Sequence, residues 1–151
     1  MSTRQKPPAE LPFAATHHVR DACLCLHVQR AARAVGRRFD EVLRPLDLTN
    51  GQFSLLISLN RPEPPSIGSV AALLAMDRTT LTANLKPLER RGLFKVAVDK
   101  EDKRSRRLVL TAAGRALLIR AFPVWKRTHA EVDRLIVGRA DALRSALHDL
   151  A

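Results

Sequence analysis

The sequence contains no tyrosine, and aromatic residues make up only 4% of its 151 residues. Proteins that read RNA or single-stranded DNA stack the bases on Phe, Tyr or Trp side chains, so this scarcity argues against that class. There is also no apolar run of the length needed to span a bilayer, and residues 1–13 lack the apolar core of a secretory signal. We therefore expect a cytoplasmic protein with no membrane partner.

Cysteine is scarce as well, since Cys23 and Cys25 are the only two. They lie two residues apart on a predicted helix, where side chains at that spacing point to opposite faces, and this disfavours a disulfide between them. Two free thiols fit a reducing cytoplasm. The sequence has no Gly-rich phosphate loop, no nucleophile elbow and no paired carboxylates outside charged loops. We expect no enzymatic activity, no catalytic residues and no cofactor.

Positive charge is abundant. Lys and Arg total 26 against 15 Asp and Glu, which gives a formal net charge of +11. A small protein with such a charge usually meets a polyanion, which can be duplex DNA, RNA or an anionic membrane surface. Because base-stacking aromatics are scarce, double-stranded DNA is the favoured partner.

Long amphipathic helices are predicted at both ends of the chain. Apolar residues recur at steps of three and four from about His17 to Leu46, which predicts one continuous helix. Residues 1–15 show no period and are expected to form a mobile or extended arm. A second long helix is predicted after Thr111, with a kink at Pro123, and a short last helix follows it.

These end helices carry more apolar surface than one small domain needs. We therefore expect residues 16–48 and 112–151 to assemble into a helical dimerisation region, which makes the protein a homodimer.

The middle of the chain, residues 49–111, predicts a winged helix-turn-helix. Thr49, Ser66 and Asp77 are placed to cap three successive helices, and Gly92 ends the third. Two alternating strands around the charged loop KEDKRSR then form a hairpin with a basic tip. The expected fold class is mainly α, with a small β-hairpin wing and N- and C-terminal dimerisation helices.

The helix RTTLTANLKPLERR is the predicted recognition helix. Such a helix lies in the major groove and presents its N-terminal residues to the base edges. Arg can pair with guanine and Asn with adenine, while Thr can contact a phosphate or a thymine methyl. The alternative is a solvated surface helix. The candidate DNA-binding residues are Arg78, Thr79, Thr80, Thr82, Ala83 and Asn84, with Lys86 and Arg90 directed toward phosphates.

The hairpin tip is the most densely basic segment of the chain. A basic wing can insert one Arg into the minor groove, where narrow A/T-rich tracts concentrate negative potential. An acid two residues before that Arg can orient its guanidinium through a bidentate pair. The alternative is a solvated hairpin whose charges compensate each other. The candidate wing residues are Asp102, Lys103, Arg104 and Arg106.

The runs LTNGQFSLL, DRTTLTANLKPLERRGL and DKRSRRLVLTAAG closely resemble the MarR family of bacterial regulators, and the resemblance extends over about residues 20–151. It implies that Asp102 is the orienting acid and Arg104 the minor-groove residue. It also implies a repressor that binds a pseudo-palindromic operator and leaves it when a small, often phenolic, ligand enters the cleft between the dimer layer and the DNA-binding lobe.

The resemblance has two departures in the recognition helix. It places Thr79, Thr80 and Ala83 at groove-reading positions, but the family often has Arg where this chain has Ala83. One base contact is then lost or moved to Arg78 or Asn84. In addition, a proline at position 87 lies inside the helix and removes one amide donor.

Cys25 supports a different hypothesis, a redox-sensing regulator. Its spacing to LDLT resembles that of the reactive cysteine in the organic hydroperoxide regulators. That branch uses two Tyr to hold the thiolate, and here Phe39 and Asn50 take those positions. The alternative is a buried structural cysteine.

A further alternative is a winged-helix module that binds protein and never DNA.

Cys23 and His27, at i and i+4, form a pair of metal ligands without a third, so no metal site is expected.

Overall fold

The computed structural model describes residues 10–151, so most of the predicted N-terminal arm lies outside the described residues. The chain divides into two compact units, one ending at Val35 and the other beginning at Gly36. None of the helices within residues 10–151 has the length and apolar character to cross a bilayer. The helices and strands are α1 (Phe13–Ala22), α2 (Leu24–Leu43), α3 (Asn50–Ser58), α4 (Ile67–Leu73), α5 (Arg78–Arg90), β1 (Phe94–Val98), β2 (Arg106–Leu110), α6 (Ala112–Leu135) and α7 (Ala140–His148).

The prediction of one helix from His17 to Leu46 is wrong, because the structure divides it at Cys23. This residue has extended backbone angles (φ −74°, ψ 104°) between α1 and α2. The backbone N–H of Leu26 donates to its Sγ at 3.5 Å, so the thiol satisfies one of the amides that the first turn of α2 leaves free. The apolar spacing continues across the break and therefore does not reveal it. The two cysteines do not share a helix.

The ends of this region also differ from the prediction. Helix α1 begins at Phe13, inside the segment expected to be an arm, after Pro12 with φ −65°. Helix α2 ends at Leu43, and a 3-10 turn over Arg44–Leu46 leads to Asp47 at φ 54°. The proline of that turn cannot donate an amide hydrogen bond, which is why the α-helix stops before it.

The second unit is a helical core closed by a two-stranded sheet. Helix α3 packs against α6, and α4 packs against both α5 and β2. Strands β1 and β2 pair antiparallel, with Phe94 opposite Leu110 and Val98 opposite Arg106. The side chains that are almost fully buried come from all of these elements, and they include Leu43, Leu56, Val70, Leu81, Leu88 and Leu108.

The predicted helix caps are present. Thr49 forms a capping box with Gln52, and Ser66 accepts from the backbone N–H of Ser69. Asp77 caps α5, and Gly92 ends that helix at φ 68°. These caps act within a few residues of the chain, which is why the sequence alone reveals them.

Helix α6 is held against the wing at its first turn. The Thr111 hydroxyl donates to the Gly92 carbonyl at 2.6 Å and accepts from the N–H of Gly114 at 3.1 Å. A Cβ added to Gly114 would lie only 2.0 Å from the Leu93 carbonyl oxygen. The LT-x-x-G element is therefore a packing requirement that joins the wing to α6. The helix then continues through Pro123 to Leu135.

Candidate nucleic-acid interface

The first turn of α5 is organised by Asp77. Its Oδ1 accepts from the Thr80 backbone N–H at 2.8 Å and its Oδ2 from the Thr80 hydroxyl at 2.6 Å. These two bonds, the hydroxyl bond first, hold the pKa of Asp77 below its ordinary value. The hydroxyl of Thr82 donates to the Arg78 carbonyl at 2.7 Å. Both hydroxyl protons are therefore used inside the helix, and these oxygens remain available as acceptors.

The predicted reading residues all lie on the outer face of α5. Arg78, Thr79, Thr80, Thr82, Ala83, Asn84, Lys86 and Arg90 are exposed, whereas Leu81, Leu85 and Leu88 are buried. The Asn84 side-chain amide donates weakly to Met76 Sδ at 3.7 Å. Pro87 lies within the helix and has no amide, so the Ala83 carbonyl lacks its usual helical partner.

The recognition helix and the wing line one cleft of about 440 Å³, which we call the basic cleft. Arg78 and Thr82 contribute from α5, and Arg104 and Arg106 contribute from the wing. The guanidinium of Arg78 lies close against Gly68, where a Cβ would be only 2.9 Å from its Nη2. A cleft with three guanidinium groups suits an anionic sugar–phosphate backbone, because neutralised phosphates release their counterions. Its lining is completed by Ser66, Ile67, Gly68, Asp102 and Ser105.

The tip of the wing differs from the predicted acid–arginine pair. Among the described residues, Asp102 does not pair with the Arg104 guanidinium; its Oδ1 accepts from the Arg104 backbone N–H at 3.0 Å instead. The acid therefore orders the turn, and the Arg104 side chain is exposed. Arg106 donates to the carbonyls of Lys103 at 3.1 Å and Ser105 at 3.4 Å, which ties it to the loop.

The acid that does pair with an arginine in the wing is Asp99, which the sequence reasoning missed. It is 9% exposed and forms a salt bridge with Arg107. The pKa of its carboxyl falls from 3.8 to about 2, chiefly because it accepts from the Asp102 N–H and from Arg107, and also from the Glu101 N–H. The available signal was an aspartate at the end of a strand and just before a loop, the usual start of an Asx turn.

The cysteines are not part of the basic cleft. Cys25 is exposed on α2, and its Sγ accepts from the Gln29 side-chain amide at 3.2 Å. The ring of His27 contacts the Cys23 carbonyl oxygen through Nδ1 at 2.8 Å. Within residues 10–151 no three His, Cys, Asp or Glu side chains are grouped to hold a metal ion.

Known proteins of similar sequence and structure identify the family to which this geometry belongs. The MarR family profile matches residues 48–105. The transcriptional regulator MosR of M. tuberculosis, solved in complex with DNA, is 40% identical, with a TM-score of 0.76 over 85% of this chain and 92% of MosR. The repressor CouR bound to a 23-mer DNA duplex is 31% identical, with a TM-score of 0.76 over 94% of this chain and 99% of CouR.

This chain belongs to the MarR family.

The predicted family and the mainly α winged-helix fold are thereby confirmed. The HTH-type transcriptional regulator TtmR of Methylorubrum extorquens (strain PA1) is 37% identical over 97 residues, which are 64% of this chain and 50% of TtmR. The match thus spans half the length of that relative. The matched MarR-family proteins are transcription regulators and not enzymes, in agreement with the prediction of no enzymatic activity.

Phe39 and Asn50 are the residues expected at the two Tyr positions of the hydroperoxide regulators, and they lie in different surroundings. Phe39 is buried and stacks with Trp125 at 6.4 Å between ring centroids. Asn50 is half-buried, and its backbone N–H donates to Asp40 Oδ1 at 2.7 Å. Neither residue carries the phenolic hydroxyl that would hold a thiolate.

Proposed function

We propose that this MarR-family chain is a homodimeric, sequence-specific regulator of transcription that represses by binding a pseudo-palindromic site in duplex DNA. A small aromatic or phenolic ligand releases it. The observation that carries the proposal is the basic cleft, in which Arg78 of α5 and Arg104 of the wing line one concave surface. Such a protein acts where bacterial DNA lies, in the cytoplasm. MosR and CouR, solved with DNA, support the proposal.

The DNA-binding part is assigned to residues 49–111. The exposed face of α5 enters the major groove, where Arg78 and Asn84 contact base edges and Lys86 and Arg90 contact phosphates. The wing reaches the adjacent minor groove through Arg104. Asp102 orients the wing turn, as its bond to the Arg104 backbone indicates.

The dimerisation part is assigned to residues 16–48 and 112–151. From the end of α6 onward the chain exposes apolar side chains that a single copy leaves in water, namely Leu135, Val137, Leu143, Leu147 and Leu150. In the first unit, Leu24 is 59% exposed and Val19 is 54% exposed. Exposed apolar side chains such as these favour association with a second copy of the chain.

The ligand is assigned to an apolar pocket of about 400 Å³ between α3, α4 and α6. The Trp125 ring lies 6.0 Å from that of Phe53 and 5.9 Å from that of Phe122, and all three line the pocket. Stacked rings of this kind accept a flat aromatic ligand. CouR, which has been solved with p-coumaroyl-CoA, is 29% identical to this chain, with a TM-score of 0.75 over 93% of this chain and 97% of CouR.

A nuclease footprint on the DNA upstream of its own gene tests the proposal. We expect two protected half-sites separated by about one helical turn, because two recognition helices enter successive major grooves. A variant with both Arg78→Ala and Arg104→Ala should leave no footprint. A winged-helix module that binds only protein would leave no footprint even as the wild type.

Cys25 keeps the redox alternative open, because its thiol is exposed and accepts a hydrogen bond from Gln29. Exposure and a nearby donor are two conditions for a reactive thiolate. Mass spectrometry of Cys25 after mild peroxide, together with a DNA-release assay, tests this alternative, and Cys25→Ser serves as the control. Oxidised protein that still holds its DNA would exclude the redox mechanism.

A further inference from the structure

The start of the wing loop, directly after β1, contains an anchored carboxylate that is not among the proposed reading residues. Asp99 is buried, and its Oδ1 accepts from the N–H groups of Glu101 at 2.8 Å and Asp102 at 2.9 Å. Its Oδ2 accepts from Arg107 Nε. A buried charge with three donors is fixed in position, because any rotation of the carboxylate would leave it unpaired.

Arg107 ties this anchor to a second part of the chain. Its Nη1 donates to the Pro64 carbonyl at 3.4 Å, and its backbone forms a bridge with Ser66. The next amide, that of Leu108, donates to the Pro65 carbonyl at 2.9 Å. The wing is therefore fastened to the segment that leads into α4 and into the wall of the basic cleft.

The same anchor reaches the tip of the wing through the backbone. The Asp102 amide is held by Asp99, and Asp102 Oδ1 in turn accepts from the Arg104 amide at 3.0 Å. The Ser105 amide donates back to the Asp102 carbonyl at 2.9 Å, and the Asp99 amide donates to the Ser105 carbonyl at 3.1 Å. An unbroken series of hydrogen bonds thus joins the Asp99–Arg107 pair to the backbone of Arg104.

We propose that Asp99 and Arg107, which we call the wing clamp, are positioning residues for DNA binding. They hold the Arg104 backbone at the place from which its side chain enters the minor groove. The inference rests on the proposed function, because it assigns Arg104 to DNA. Arg107 lies in a basic stretch but is half-buried and paired with Asp99. Its charge therefore serves the clamp and not a phosphate.

The clamp predicts a change in DNA affinity opposite in sign to the one that simple electrostatics predicts. Removing a carboxylate near DNA should strengthen binding, because a negative charge repels the phosphates. Asp99→Asn keeps one oxygen for the two amides but sets an NH₂ group against the Arg107 guanidinium, so it should weaken binding. Glu101→Gln is the matched control: it removes the same charge from an exposed side chain two residues away.

The experiment measures the affinity of each full-length variant for a duplex taken from upstream of its own gene, at several salt concentrations. We expect Asp99→Asn to weaken binding by roughly fivefold to a hundredfold, the range for losing one groove arginine. The slope of log affinity against log salt concentration should become shallower by about one, the change expected for one lost phosphate contact. Glu101→Gln should bind as tightly as the wild type or more tightly. In an Arg104→Ala background, Asp99→Asn should add no further loss, because the clamp acts through Arg104.

Wild-type affinity in Asp99→Asn, or a loss that adds fully to that of Arg104→Ala, would overturn the clamp. Should Asp99→Asn fail to fold, Arg107→Lys carries the same test, since it keeps the charge and loses the fork geometry. If the wild type itself does not bind the duplex, the proposed function fails. The clamp is then judged on amide hydrogen exchange at Arg104 in the free protein: faster exchange in Asp99→Asn than in Glu101→Gln supports it, and equal exchange overturns it.

Discussion

Arg104 is exposed at the tip of the wing, with its backbone held by Asp102 and its side chain free to reach DNA. We expect Arg104→Ala to weaken binding to the upstream duplex by about fivefold or more, because a minor-groove guanidinium interacts with the strongest negative potential of the duplex. A gel-shift titration measures this. Arg120→Ala, which removes the same charge from an exposed position on α6, is the control and should bind almost as the wild type. Unchanged affinity in Arg104→Ala would remove the wing from the mechanism.

Gly114 is the residue on which the contact between α6 and the wing depends. Its place in helix α6 leaves no room for a methyl group, since the Leu93 carbonyl would lie 2.0 Å from the new Cβ. We expect Gly114→Ala to lower the free energy of unfolding by about 1–3 kcal/mol, as overpacking of a core does. Urea unfolding measures the change.

Gly36 provides the control for Gly114. It lies inside α2, and an added Cβ there meets nothing within 4 Å. Gly36→Ala should therefore raise stability by about 0.5–1 kcal/mol, because alanine is the better helix former. If both variants lose stability equally, the close approach at Gly114 is not the cause.

At the scale of elements, the wing should contribute stability that depends on pH through the carboxylate of Asp99. The pKa of Asp99 is lowered from 3.8 to about 2 in the folded protein. A lowered folded-state pKa means that this contribution is fully present above about pH 4 and is lost as the pH falls from about 4 toward 2. The measurement is the urea midpoint of the wild type minus that of Asp99→Asn between pH 7 and 3. We expect the difference to be constant above pH 4 and to shrink below it; a difference that persists unchanged at pH 3 would contradict the assignment.

At the scale of the whole molecule, DNA binding should depend on dimerisation. Leu143 and Leu147 lie one turn apart on α7 and are about 40% exposed. We expect Leu143→Asp with Leu147→Asp to give monomers in analytical ultracentrifugation and to weaken operator binding, because one recognition helix then reads one half-site. Ser145→Asp adds a charge on the opposite face of α7 and should leave the dimer intact. Monomers that bind the operator at full affinity would separate the two properties.

Many helix and strand boundaries could be predicted, because the interactions that set them lie within a few residues of the chain. The caps at Thr49 and Asp77, the stop at Gly92 and the alternation of the two strands each require only neighbours in sequence. The break at Cys23 escaped prediction because the apolar spacing continues across it, and only the backbone geometry and the thiol–amide bond reveal two helices.

The amino-acid sequence by itself determined the fold class and the exposed polar face of α5, because composition, periodicity and capping are local properties. The family followed from the resemblance of three sequence runs to the MarR regulators. Tertiary structure decided what those residues do together. It brought Arg78 and Arg104 to one cleft across about 26 residues of chain. It replaced the expected Asp102–Arg104 side-chain pair with a backbone bond, and it assigned the buried pair to Asp99 and Arg107. Which acid meets which guanidinium depends on how the hairpin folds back and packs against the segment before α4, and residue spacing along the chain does not carry that information.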